Sequence, residues 1–132
     1  MVGSVPLADT ARCPCLSGEP YGQCCAPLHR GERVAATAEQ LMRSRFSAFA
    51  GGDAAYLLAT WHPSTRPHDL ELDAAQRWYR LDILDTAQGG PLANTGSVEF
   101  IAYYRGEQRG RLHERSRFVR LEGRWLYLDA AA

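Results

Sequence analysis

The sequence predicts an α+β fold, and three observations predict it. Apolar residues recur at helical spacing from Ala38 to Phe49. From Trp78 onward the apolar period switches to two. Short glycine-bearing segments then separate the apolar runs, as hairpin turns do. Helices followed by an antiparallel meander place the helices on one face of the sheet.

Each element carries its own signal. Thr37-Ala-Glu-Gln40 fits a capping box, with a hydroxyl at the N-cap and an amide side chain three residues on. Ala38, Leu41, Met42, Phe46 and Phe49 form the apolar stripe of that helix. Gly51-Gly52 ends it, because glycine tolerates the left-handed conformation of a helix C-terminus. Asp53 can cap a second short helix through Thr60, with Tyr56, Leu57 and Trp61 on its apolar side. His62 precedes Pro63, which disfavours helix at His62 and stops the element. Residues 62–76 read as turns, with a short helix expected near Asp73–Arg77. Strands are expected at Trp78–Thr86, Ser97–Arg105, Arg111–Leu121 and Trp125–Asp129. Gly106–Gly110 and Glu122-Gly123 read as hairpin turns, and Gln88-Gly-Gly-Pro91 separates the first two strands.

Composition narrows the function classes. At 132 residues, 45% of them apolar, the chain can build one real core. The formal net charge is zero, so no global field attracts nucleic acid or a membrane surface. All 15 basic residues are arginine, which reads as coding bias rather than as a set of phosphate binders. No stretch approaches the roughly 20 apolar residues of a membrane helix. Met1–Thr10 has no basic residue and no apolar run, unlike a signal peptide. A cytoplasmic chain is the expectation, and thiols there stay reduced.

Residues 1–12 lack periodicity and read as a disordered tail. Residues 13–32 are rich in turn formers and cannot build a regular core. They hold Cys13-Pro-Cys15, eight further residues, then Cys24-Cys25. Thiolates bind zinc tetrahedrally, and a closed structural site uses four ligands. Two cysteine pairs on tight turns can supply them. Ser17 and Gly18 suit backbone amides pointing at sulfur. The competing reading is free or disulfide-bonded cysteines; a bridge within either pair would be a strained ring, and cross-pairing would need an oxidising compartment. One zinc ion is therefore expected, with iron as the other ion such a thiolate set accepts. His29 is the rival to Cys25 for the fourth position.

These residues also carry a resemblance. Cys-Pro-Cys-Leu-Ser-Gly-Glu-Pro-Tyr-Gly-Gln-Cys-Cys, residues 13–25, resembles the SEC-C motif, the zinc signature first described at the C-terminus of the SecA translocase. The glycine usual before the serine is Leu16 here. The motif's last ligand is cysteine or histidine, which supports Cys25. Leu41-Met-Arg-Ser-Arg-Phe-Ser-Ala-Phe49, Thr60-Trp-His-Pro-Ser-Thr-Arg66 and His113-Glu-Arg-Ser-Arg-Phe118 are similar to the YchJ family, also called UPF0225. That resemblance implies a SEC-C knuckle at residues 13–32 and an NTF2-like domain at 33–132, a cone of curved antiparallel sheet with helices on one face. It implies no reaction.

An NTF2-like cone can enclose a pocket, and the candidates for it are Arg43, Trp61, His62, Arg66, Trp78 and Glu114. Strand alternation puts Glu114 on the face of Leu112 and Phe118, and His113 on the other. Glu114 is thus the inward group, with Arg43 or Arg45 as its expected partner. The arginines of the last hairpin, diluted by Glu107 and Glu114, read as a solvated face rather than a surface for RNA or ribosome. No residue is assigned a catalytic role. The leading expectation is a metal-binding accessory protein that presents Tyr21, Pro27 and Leu28 to a protein partner. By analogy with SecA, that partner belongs to protein export, translation or quality control. The alternatives are a small-molecule carrier or enzyme using the cone's cavity, and a redox or metal sensor acting through Cys24 and Cys25.

Overall fold

A computed structural model describes residues 7–131. After a 3-10 turn at Tyr21–Gln23 come three helices, α1 (Ala26–His29), α2 (Ala38–Gly51) and α3 (Ala54–Ala59). Four strands follow: β1 (Arg77–Gln88), β2 (Thr95–Arg105), β3 (Gly110–Leu121) and β4 (Arg124–Ala131). They form one antiparallel sheet in the order β1-β2-β3-β4.

The local signals act as expected in α2 and α3. Thr37 accepts a hydrogen bond from the Gln40 amide at 3.1 Å, and the Gln40 side chain reaches back to the Ala36 amide at 2.7 Å. Gly52 closes α2 at φ 75°, where a Cβ would be strained. Asp53 caps α3 by accepting from the Tyr56 amide at 3.0 Å. The β3–β4 turn holds Glu122 at φ 52° and Gly123 at φ 80°, the paired positive angles that fit a two-residue hairpin to strand twist.

Two expectations differ from what forms. No helix occupies Asp73–Arg77. Asp73 instead makes an Asx turn, accepting from the Ala75 amide at 2.9 Å, and pairing with β2 claims the chain from Arg77 onward. Of the residues read as a tail, 1–6 lie outside the described residues. Residues 7–12 are tied to the knuckle: the Tyr21 amide donates to Ala11 and the Gly22 amide to Asp9.

The core lies between α2 and the concave face of the sheet. Leu41, Met42 and Phe46 meet Leu81, Val98, Phe100 and Phe118 there, and Trp125 closes one end. Irregularities at Trp78/Arg80 and Ile83/Asp85 break the β1 ladder, and bulges of this kind add the twist that curves a sheet. The curve leaves room between α2 and the strands.

Candidate metal centre

The four cysteines arrive on two short turns. A bridge between Arg12 and Pro20, with the Cys13 amide donating to Glu19, closes a loop that carries Cys13 and Cys15. The Leu16 amide donates to the Cys13 carbonyl, folding the loop sharply around Pro14. Leu16 pays for that fold with a left-handed φ of 63°. This is the position where the SEC-C pattern carries glycine, so the departure has a physical cost. On the other side, the 3-10 turn delivers Cys24, and Cys25 stands at the head of α1.

All four sulfurs lie within 4.8 Å of one another. The Cys15–Cys24 and Cys24–Cys25 separations are 3.7 and 3.9 Å. Four sulfurs at 2.3 Å from a tetrahedral zinc ion would stand about 3.8 Å apart. The donor set and its spacing therefore fit a thiolate-loving ion. Cys13, Cys15 and Cys25 are buried, and Cys24 is half-exposed.

Electrostatics make a cation the natural fifth member. Hydrogen bonds from the Cys13 and Cys25 thiols hold Cys15 below the ordinary thiol range. Burial pushes Cys24 up to about 11, and hydrogen bonding to Cys13 and Cys15 pushes buried Cys25 up as well. Like charges this close cannot all form unaided. A bound divalent ion inverts that balance and releases the thiol protons.

Helix α2 supplies the surrounding contacts. Ser47, fully buried, donates to the Cys25 sulfur at 3.3 Å and lies 3.4 Å from that of Cys13. Arg43 donates to the Cys15 carbonyl at 2.8 Å and is steadied by Glu39 at 3.0 Å. From the knuckle itself, Ser17 reaches the Cys24 sulfur at 3.1 Å through its hydroxyl. Gln40, Arg43, Ser44 and Ser47 follow the i, i+3, i+4, i+7 spacing of a helix face. That polar stripe looks solvent-facing in sequence, but it is where the knuckle docks.

His29 is engaged elsewhere. Its Nε2 donates to the Ser44 carbonyl at 2.8 Å, so its Nδ1 accepts from the Tyr21 hydroxyl at 2.6 Å. Burial lowers its pKa and keeps it neutral, while burial also pushes the Tyr21 phenol up to about 12. Both ring nitrogens are thus used, and Cys25 completes the sulfur cluster. The surface expected around Tyr21, Pro27 and Leu28 needs correcting. Tyr21 and Leu28 are buried, the first against His29 and the second in the main core, and Pro27 is half-buried.

The pocket candidates separate. Trp61, Trp78 and Glu114 line one cavity between α2 and the sheet, together with Arg45. Arg43 lies at the knuckle instead. His62 turns its Nδ1 to Ser64, which donates to it from both its amide and its hydroxyl, and Arg66 is exposed. His113 faces outward and pairs with Glu99 at 2.6 Å. On the same outer face Arg115 pairs with Asp85 and Glu99, and Arg117 with Asp129. These pairings neutralise Arg115 and Arg117 of the basic stretch. No helix among the described residues is long and apolar enough to cross a membrane.

Fold and site together define a SEC-C protein with an NTF2-like domain. The family model described as "YchJ, middle NTF2-like domain" matches residues 37–130, and the SEC-C motif matches residues 10–27. A UPF0225 protein of Streptomyces coelicolor is 56% identical over 91% of this chain and 94% of its own. One from Corynebacterium glutamicum is 54% identical over 88% of this chain and 93% of its own. The solution structure of a SEC-C motif protein from Rhodopseudomonas palustris matches with a TM-score of 0.78 and 35% identity, covering 92% of this chain and 98% of that one. A crystal structure of a SEC-C motif protein from Psychrobacter arcticus matches at 0.74 and 26%, covering 94% and 85%. The chain belongs to the YchJ, or UPF0225, family.

Proposed function

We propose that the chain is a cytoplasmic binding protein built on one structural zinc ion, with no reaction at the metal. The closure of the site carries this reading. Four sulfurs within 4.8 Å of one another are enough for a complete tetrahedral shell, and three of the cysteines are buried. A catalytic zinc keeps one position open for water or substrate. Free thiols also require a reducing compartment, which supports the cytoplasm. Bound zinc would hold Cys13, Cys15, Cys24 and Cys25 in place and supply the folding free energy that the knuckle's small apolar cluster lacks. Elemental analysis of protein made in metal-replete cells tests this. One zinc per chain is expected, with loss of knuckle structure on chelation. Iron as the main ion, or a knuckle that stays folded without metal, would sink the reading.

A second reading, a protein partner in export, translation or quality control, has one specific observation behind it. A groove runs along the seam of knuckle and α2, lined by Ser17, Gln23, Cys24, Thr37, Glu39 and Arg43. A cross-linked pull-down would compare wild type with Gln23→Arg/Glu39→Arg at matched expression. Identical partner sets would remove the groove from consideration.

A further inference from the structure

Arg45 points its charge into the interior of the domain. Its residue is 4% exposed. One terminal nitrogen, Nη1, donates to the Leu57 carbonyl and to the Thr60 hydroxyl, each at 2.7 Å. Among the described residues, Nε and Nη2 have no hydrogen-bond partner and no carboxylate forms an ion pair with Arg45. The guanidinium packs against two rings, 5.1 Å from the Trp61 centroid and 4.7 Å from that of Tyr127. Burial lowers the Arg45 pKa to about 10, which still leaves it charged at neutral pH.

Arg45 borders the cavity between α2 and the sheet, which has a volume of about 270 Å³. Most of its wall is apolar, with Phe46, Trp78 and Phe100 prominent. Two further polar groups share the space. The Trp61 indole N–H is buried and has no partner among the described residues. The Glu114 carboxylate accepts one hydrogen bond, from the Ser116 hydroxyl at 3.2 Å, and forms no ion pair with Arg45. A buried cation, an unused indole donor and a spare acceptor thus line one largely apolar chamber. Buried polar groups are normally satisfied, and those that are not mark places where a ligand supplies the missing partner.

We infer that this cavity binds a small carboxylic acid with an apolar body and a hydroxyl or amino group beside the carboxylate. The carboxylate would take the unused N–H groups of Arg45, whose planar fork matches its geometry, and the N–H of Trp61. The neighbouring hydroxyl or amine would donate to Glu114. That second contact matters, because a plain carboxylate would be repelled by Glu114. The volume is close to the lower limit of about 300 Å³ usual for ligand pockets, so the apolar body is about one ring or one branched chain in size. The inference concerns the cone alone and goes beyond the structural zinc.

Binding of 3-phenyllactate, phenylalanine and 2-hydroxy-4-methylpentanoate to the metal-loaded protein tests it, by calorimetry and by the fluorescence of the cavity tryptophans. At least one is expected to bind with Kd below about 1 mM. 3-Phenylpropanol, which lacks the carboxylate, should bind about tenfold more weakly or not at all. Arg45 also braces the end of α3, so variants there would confound binding with folding. Glu114→Gln keeps the cavity's volume and avoids that, and Trp61→Phe removes the indole N–H while opening only a little more space. Trp61→Phe is expected to weaken the bound acid about tenfold, whereas Glu114→Gln, which loses the charge but keeps an acceptor, is expected to weaken phenylalanine and to tighten 3-phenylpropanoate, which has no donor. Failure of all three acids at about 1 mM, equal binding of the alcohol, or unchanged affinity in both variants would overturn the inference.

Discussion

Phe118 and Cys25 are equally buried, at 1% exposure each, yet different forces keep them there. Phe118 sits among apolar neighbours from α2 and three strands, and leaving water is itself the gain. Cys25 sits among three other sulfurs and a serine hydroxyl, in a cluster whose apolar members are few. Removing water from those thiols gains little until a cation replaces their protons. The cone is thus held by area, and the knuckle by a few strong directed bonds. Helix α2 serves both, with its apolar stripe against the sheet and its polar stripe against the knuckle.

Metal removal should break the comparison most visibly. Structural zinc in small thiolate sites contributes apparent binding free energies of about 10–16 kcal/mol. Chelation is expected to strip hydrogen-exchange protection from residues 13–29 while the amides of β2 and β3 keep theirs. If the sheet opens at the same chelator concentration, the two regions are one cooperative unit and the contrast fails. The next effect belongs to the cone. Leu41→Ala should cost about 2–5 kcal/mol in urea unfolding of the metal-loaded protein, because it leaves a cavity in the packed core. Zinc affinity should stay unchanged in that variant, as read with a competing chromophoric chelator.

Ser47→Ala sharpens the boundary between the regions. It removes the hydroxyl that α2 lends to the sulfurs, for about 1–3 kcal/mol. Unlike Leu41→Ala, it should also lower zinc affinity, by about tenfold or more. Equal zinc affinity in Ser47→Ala would show that the hydroxyl merely fills space. The smallest effect is a gain. Leu16→Gly relieves a left-handed leucine and should raise thermal stability by under about 1 kcal/mol, less than the full relief because glycine is freer when unfolded. A destabilised Leu16→Gly would mean that the leucine side chain, 41% exposed, contributes contacts of its own.

The two regions were also unequally legible. Both helices and all four strands of the cone could be read from periodicity, caps and turn chemistry, since these are local causes. The cysteine pairs were legible because few other uses suit that spacing. The roles of Ser47 and Arg43 were not, because a polar stripe on a helix normally faces water. Only the docking of the knuckle, a tertiary event, turns it inward. Arg45 is a similar case. It was one of the two arginines expected to pair with Glu114, but the structure gives it the Leu57 carbonyl, the Thr60 hydroxyl and two aromatic rings instead. Tyr21 and Leu28 were expected outside for the converse reason: in a segment with no visible core, nothing local says that the core next door will cover them.

The sheet's topology has a consequence for how the molecule assembles in time. Every strand pairs only with its neighbour in the chain, so the sheet can zip from its turns at little entropic cost. The bonds from Arg120 and Trp125 back to the Ala36 carbonyl are different. They span 84 and 89 residues and fasten the last hairpin to the threshold of α2. Such contacts form late, once both ends are already built. They do little to speed folding and much to slow unfolding. Ala36 is therefore the latch of the domain: closed last on the way in, and opened first on the way out.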